Sequence, residues 1–117
     1  MGLRSKQKGK RGELEASKEL NRVLGIDARR GQQFCGGSDA PDVITSLSQV
    51  HFEVKRCEGL RLWAALDQAT NDAGIGQVPV VLHRANHRPW VVVVKLENLL
   101  QLAREIAKHD TASSSPS

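Results

Sequence analysis

The stretch from Gly36 to Lys55, GGSDAPDVITSLSQVHFEVK, decides how the chain is read. An acid after a proline, Pro41-Asp42, starts one short apolar run, and the triplet Glu53-Val54-Lys55 closes the next. The polar linker Thr45 to Gln49 between them predicts a hairpin of two short strands. Alternate side chains of a strand point to opposite faces, which puts His51, Glu53 and Lys55 on one face and Val50, Phe52 and Val54 on the other. In such a hairpin Asp42 approaches Glu53, so that two carboxylates and one ammonium converge. Two carboxylates that close repel each other unless a cation lies between them. Hard oxygen donors with no His or Cys cluster suit Mg²⁺ or Mn²⁺ rather than zinc.

On the N-terminal side, residues 1–11 hold Arg4, Lys6, Lys8, Lys10 and Arg11 among Gly, Ser and Gln, a composition that buries nothing and predicts a basic flexible arm able to contact phosphates. Ala16, Leu20, Val23 and Leu24 then recur at helical spacing from about Gly12 to Leu24, with Glu13 at the start of the inward stripe and Gly25 as the cap. Glu15, Lys18, Glu19 and Arg22 are expected to pair along the exposed face. Ile26 to Gln33 reads as a strand leading into the glycine-rich loop Phe34-Cys35-Gly36-Gly37-Ser38, where backbone N–H groups can approach a phosphate.

On the C-terminal side, Leu62 to Ala73 predicts a helix with Leu62, Ala65, Leu66 and Ala69 inward and Gln68 near the edge of that face. Val78–His83 and Trp90–Val94 are unbroken β-branched runs, which predicts strands covered on both faces. Leu96 to Lys108 is an amphipathic helix through Leu96, Leu99, Leu100, Ala103 and Ile106, and the Ser-rich residues 111–117 are expected to be a disordered tail. The order is helix, three strands, helix, two strands, helix. It predicts one α/β domain over residues 12–110, a mixed five-stranded sheet flanked by helices.

With 117 residues, 39% of them hydrophobic and 26% charged, the chain supports a single soluble domain. Seventeen Lys and Arg against thirteen Asp and Glu give a net charge of +4, and any acids committed to a metal leave the remaining surface more basic still. That surface fits a polyanion, nucleic acid before an anionic membrane. Cys35 and Cys57 lack metal or redox spacing and read as reduced thiols of a cytoplasmic protein. No apolar run follows the charged N-terminus and none is long enough to cross a bilayer, so neither a signal peptide nor a membrane span is expected. Trp63 and Trp90 read as core or interface side chains rather than as base-stacking platforms, and His51 reads as structural.

Pro41-Asp42 followed by Glu53-x-Lys55 resembles the PD-(D/E)xK nuclease superfamily. With Gly9-Lys10-Arg11-Gly12-Glu13, Gly37-Ser38 and Gln68 in the next helix, the chain from Lys8 to about Leu102 is similar to the archaeal-type Holliday junction resolvases and their phage-encoded relatives. The resemblance implies a restriction-endonuclease-like fold and a magnesium-dependent endonuclease acting on DNA, above all on four-way junctions. It further implies Asp42, Glu53, the Val54 carbonyl and Glu13 as metal ligands, Lys55 as the group that activates water and steadies phosphate charge, Gln68 as a positioning residue and Ser38 as a contact to the scissile phosphate. Lys6, Lys8, Lys10 and Arg11 would bind DNA. Resolving a junction takes two incisions, which implies a homodimer with an apolar surface drawn from the second helix or the last strand. A nuclease acting on duplex or flapped DNA, and a non-catalytic DNA-binding protein keeping the fold, are the alternatives.

Overall fold

A computed structural model describes residues 2–31 and 42–113, with side chains described for 11–31 and 42–110. Three helices and five strands follow in the order α1 (Gly2–Leu24), β1 (Ala28–Arg30), β2 (Val43–Thr45), β3 (Val50–Arg56), α2 (Leu62–Asp72), β4 (Val78–Arg84), β5 (Val91–Val93) and α3 (Leu96–Ser113). The element order is the expected one. The segment read as an arm forms the first turns of α1, and the segment read as a tail begins inside α3.

The strands form two small sheets rather than one of five. β1 pairs antiparallel with β2, while β3, β4 and β5 form a mixed sheet with β3 parallel to β4 and β4 antiparallel to β5. Among the described residues, the expected hairpin between β2 and β3 is therefore absent as a ladder. Its linker is not a solvated turn: Leu47 is buried in the core, Thr45 Oγ1 accepts the Leu47 N–H at 3.1 Å, and the Ser46 N–H is donated to the Asp27 carbonyl at 2.8 Å. These bonds draw β2 toward β1. Connection to β3 passes instead through a side chain, since the Val54 N–H is donated to Asp42 Oδ2 at 2.9 Å.

Alternation along β3 and β4 gives the larger sheet two unlike faces. One is wholly apolar: Val50, Phe52, Val78, Val80 and Leu82 join Ala16 and Leu20 of α1, Val43 of β2, Leu102 of α3 and the connecting Ile26 and Leu47 in the main core. On the other face Val81 packs with Ala65, Leu66 and Ala69 of α2. There β3 contributes His51, Glu53 and Lys55, so the ground beneath α2 is apolar on the β4 side and ionisable on the β3 side. Pro79 fits the central strand for a local reason. Val78 donates its N–H to Gln49 of the β3 side at 2.8 Å, so the next residue's nitrogen points the other way, where β5 pairs only with residues 81–83.

α1 reaches β3 through Gly12, whose position is buried; a Cβ there would lie 2.7 Å from the Cβ of Arg56, so only glycine admits this approach. Gly25 ends the regular helix with φ 64°, its N–H donated to the Asn21 carbonyl. Several expected faces differ. Val23 and Leu62 are exposed, and β5 is exposed rather than covered on both faces. α3 buries Leu102 and half-buries Ile106, leaving Leu96, Leu99, Leu100 and Ala103 outward. Glu15 leaves the surface row and pairs with Arg84 and, at 3.5 Å, with Arg56, while Glu19 and Arg22 pair as expected at 2.7 Å.

Candidate functional site

Three elements converge at the ionisable end of the α2 face. β3 projects His51, Glu53 and Lys55 from one side of the strand, α2 overhangs them with Gln68, and the chain entering β2 brings Asp42 alongside. Glu53 is 3% exposed and His51 6%, although both are ionisable. Burial of that kind needs partners, since an uncompensated charge in an apolar setting is costly. Glu53 has them: His51 Nε2 lies 3.4 Å from Oε1 and Lys55 Nζ 3.9 Å from Oε2. The Lys55 ammonium is held from above by a 2.7 Å hydrogen bond to Gln68 Oε1.

Asp42 and Glu53 sit in hydrogen-bonding contact, and their environments drive them apart. Desolvation first, then the neighbouring charge of Glu53, push the Asp42 carboxyl up to about 7; Glu13 adds to the rise, and the Val54 N–H opposes it. Burial works on Glu53 in the same sense, but hydrogen bonds from His51 and from Asp42, with the Lys55 charge, outweigh it and hold Glu53 below the ordinary carboxylate range. The shared proton therefore rests on Asp42. Glu13, next to Gly12 on α1, acts on Asp42 through its charge and accepts from Arg30 Nε at 3.2 Å.

This donor set fits a hard divalent cation. Two carboxylates close enough to share a proton could take a doubly charged ion in its place, and oxygen donors dominate the cluster. Asp42 and Glu53 are the residues that could hold it, with Glu13 near enough for its charge to act on Asp42. His51, Glu53 and the exposed Asp72 form a further group whose potential donor atoms lie within 4.8 Å of one another. Chemically the arrangement offers a carboxylate pair, a tethered ammonium and an amide; Lys55 and Gln68 also line a cavity of about 230 Å³ with Leu60 and Ala64.

The structure thus gathers Asp42, Glu53, Lys55, Gln68 and Glu13. Arg11 is exposed on α1, one residue before Gly12. Ser38, its glycine-rich loop, Pro41 and Cys35 lie outside the described residues, as do the side chains of Lys6, Lys8 and Lys10. Three neighbours were not read as site residues from the sequence. His51 stands two residues before Glu53 on the same strand face, and Asp72 stands four after Gln68 on the same helix face; both spacings were available as signals. Arg30 meets Glu13 across seventeen positions, with no local pattern to reveal it.

Among the described residues no helix is long and apolar enough to cross a membrane. No family model, no curated protein and no solved structure matches the chain.

Proposed function

We propose that the chain is a metal-dependent endonuclease of the PD-(D/E)xK type that hydrolyses DNA phosphodiester bonds, with a restriction-endonuclease-like core and selectivity for four-way junctions. The observation that carries this reading is the meeting of Asp42 and Glu53, close enough to share a proton, beside a Lys55 ammonium that is held in place by Gln68. A chain using only its fold has no reason to hold two carboxyl groups against each other where a polyanion would lie.

Asp42, Glu53, the Val54 carbonyl and Glu13 would hold Mg²⁺ or Mn²⁺, which when bound lowers the pKa of water and offsets the charge that builds on the phosphate. Lys55 supplies a proton-bearing cation 3.9 Å from Glu53 Oε2, placed to orient the attacking water and to balance a phosphate oxygen. Gln68 fixes the direction of that ammonium. His51, hydrogen-bonded to the other Glu53 oxygen, keeps the carboxylate ionised and oriented. The net charge of +4, together with Lys6, Lys8, Lys10 and Arg11 on α1 and Ser38, supplies the contacts to the DNA backbone. Paired incision of a junction requires two such centres, so the acting species is a homodimer.

The test is incubation of the purified chain with Mg²⁺ and labelled four-way, flapped and linear duplex DNA. Cleavage of the four-way substrate well ahead of the others is expected. Equal rates on all three would assign a general nuclease, and DNA binding with no cleavage in Mg²⁺ or Mn²⁺ would leave a non-catalytic binding protein.

A further inference from the structure

The cavity of about 230 Å³ that Lys55 and Gln68 line has a use beyond the reacting phosphate. Its other walls include Cys57, Leu60 and Arg61 of the β3–α2 connection and Ala64 of α2. Two of the lining side chains, Lys55 and Arg61, are cations, and among the described residues none is an acid. Glu58, the one acid between Cys57 and Arg61, is committed elsewhere: it accepts the Asn86 N–H at 2.6 Å and lies 3.9 Å from Arg56 Nη1. Arg61 is exposed and, among the described residues, enters no ion pair. An ammonium carries three donors. Gln68 Oε1 takes one from Lys55 at 2.7 Å and Glu53 Oε2 lies 3.9 Å from its nitrogen, so a third remains for a ligand.

Two cations lining one small space with no carboxylate between them repel, and an anion relieves the repulsion. The volume is several times the roughly 30 Å³ of a water molecule, which admits a tetrahedral oxyanion. A guanidinium fork binds phosphate through two parallel hydrogen bonds. Leu60, Ala64 and Ala65 add an apolar wall, which suits the carbons of a sugar attached to that phosphate. We infer that the cavity receives the DNA phosphate next to the one that is cut, gripped by Arg61, with Lys55 standing between the two phosphates. The anion rests on the cavity alone, and its assignment to DNA rests on the nuclease reading. The consequence is register. A strand held at two successive phosphates presents one bond to the carboxylates, and a chain end that lacks the second phosphate is held less firmly, which favours cutting within a strand over removal of its last nucleotide.

Thymidine 3′,5′-bisphosphate carries two phosphates one nucleotide apart and no phosphodiester bond, so its binding is read without cleavage. Isothermal titration calorimetry in Mg²⁺ is expected to show it bound about tenfold or more tighter than thymidine 5′-phosphate or thymidine 3′-phosphate. Arg61→Gln should remove that gain. Arg104→Gln, an equal loss of charge at an exposed position of α3, should keep it. In single-turnover cleavage of a four-way junction, a neutral methylphosphonate at one of the two phosphates flanking the scissile one should slow the wild type about tenfold and leave Arg61→Gln, already slowed, unchanged. Equal affinity of the wild type for the bisphosphate and both monophosphates, a gain that Arg61→Gln retains, or methylphosphonate sensitivity undiminished in Arg61→Gln would overturn the inference. An Arg61-dependent gain in a chain that cuts no DNA would keep the phosphate site and overturn its assignment to DNA together with the nuclease reading.

Discussion

Asp42→Asn offers a test of the carboxylate pair that needs neither DNA nor metal. In the unfolded chain an aspartate titrates near 3.8, whereas Asp42 in the fold is raised to about 7. Between those values the native state binds the additional proton, so stability falls as pH rises through the window and the full loss is present above pH 7. A gap of that width corresponds to on the order of 4 kcal/mol. Glu53 has the opposite sign: its lowered pKa contributes stability that is complete above its unfolded value and lost only as pH falls through the folded one, so it does not change between pH 6 and 8. Part of that lowering is the same shared proton seen from the other side, which leaves about 1–3 kcal/mol recoverable. Asparagine cannot ionise, its Oδ1 can still accept the Val54 N–H, and its amide can donate toward Glu53. In EDTA at pH 8 the variant should therefore be more stable than wild type by about 1–3 kcal/mol, a rise in Tm on the order of 5–15 °C. At pH 5, little more than a third of the way from 3.8 to 7, the difference should shrink to about a third of its size at pH 8. Urea unfolding at the two pH values reads both quantities. Equal or lower stability of the variant at pH 8, or a gain that persists unchanged at pH 5, would refute the shared-proton pair.

Other expectations concern separate parts of the molecule. Gly12→Ala places a methyl against Arg56 and should destabilise by about 1–3 kcal/mol in urea unfolding, whereas unchanged stability would mean that α1 and β3 do not meet there. Replacing Lys55 with Met removes the ammonium while keeping the length of the side chain, and should slow single-turnover cleavage by ~10²–10⁴-fold with DNA affinity little changed. Neutralising Lys6, Lys8 and Lys10 together should weaken binding to every DNA form alike and flatten its salt dependence by up to ~0.9 for each phosphate that is no longer neutralised, measured by fluorescence anisotropy.

The legibility of the chain varies with the range of the forces that shaped each part. The β3 face is readable because His51, Glu53 and Lys55 lie two residues apart on one strand, where local geometry decides which way they point. The approach of Asp42 to Glu53 is readable too, yet it comes about through one side-chain bond to Val54 rather than through a hairpin ladder. Leu47, buried within an otherwise polar linker, draws β2 to β1 instead, and that depends on a core assembled from distant segments. α3 carries leucines on two faces. The sequence favours the stripe of Leu96, Leu99, Leu100, Ala103 and Ile106; of these the fold half-buries Ile106 alone and buries Leu102 instead, on the side where His109 meets Ser46 at 3.1 Å across 63 positions. The valine run of β5 reads as a strand covered on both faces, because side-chain character cannot show that, among the described residues, β5 pairs on one side alone. The ion pairs of Glu15 with Arg84 and of Glu13 with Arg30 are likewise contacts between remote segments and left no periodic trace.

The most direct test of the central claim compares wild type with Glu53→Gln on one labelled four-way junction, in Mg²⁺ and in EDTA. Wild-type cleavage that depends on the cation, abolished by Glu53→Gln while junction binding is kept or strengthened, is the predicted result, since the substitution removes a negative charge from beside the phosphate. Cation-dependent cleavage by Glu53→Gln at the wild-type rate would contradict the assignment of the site.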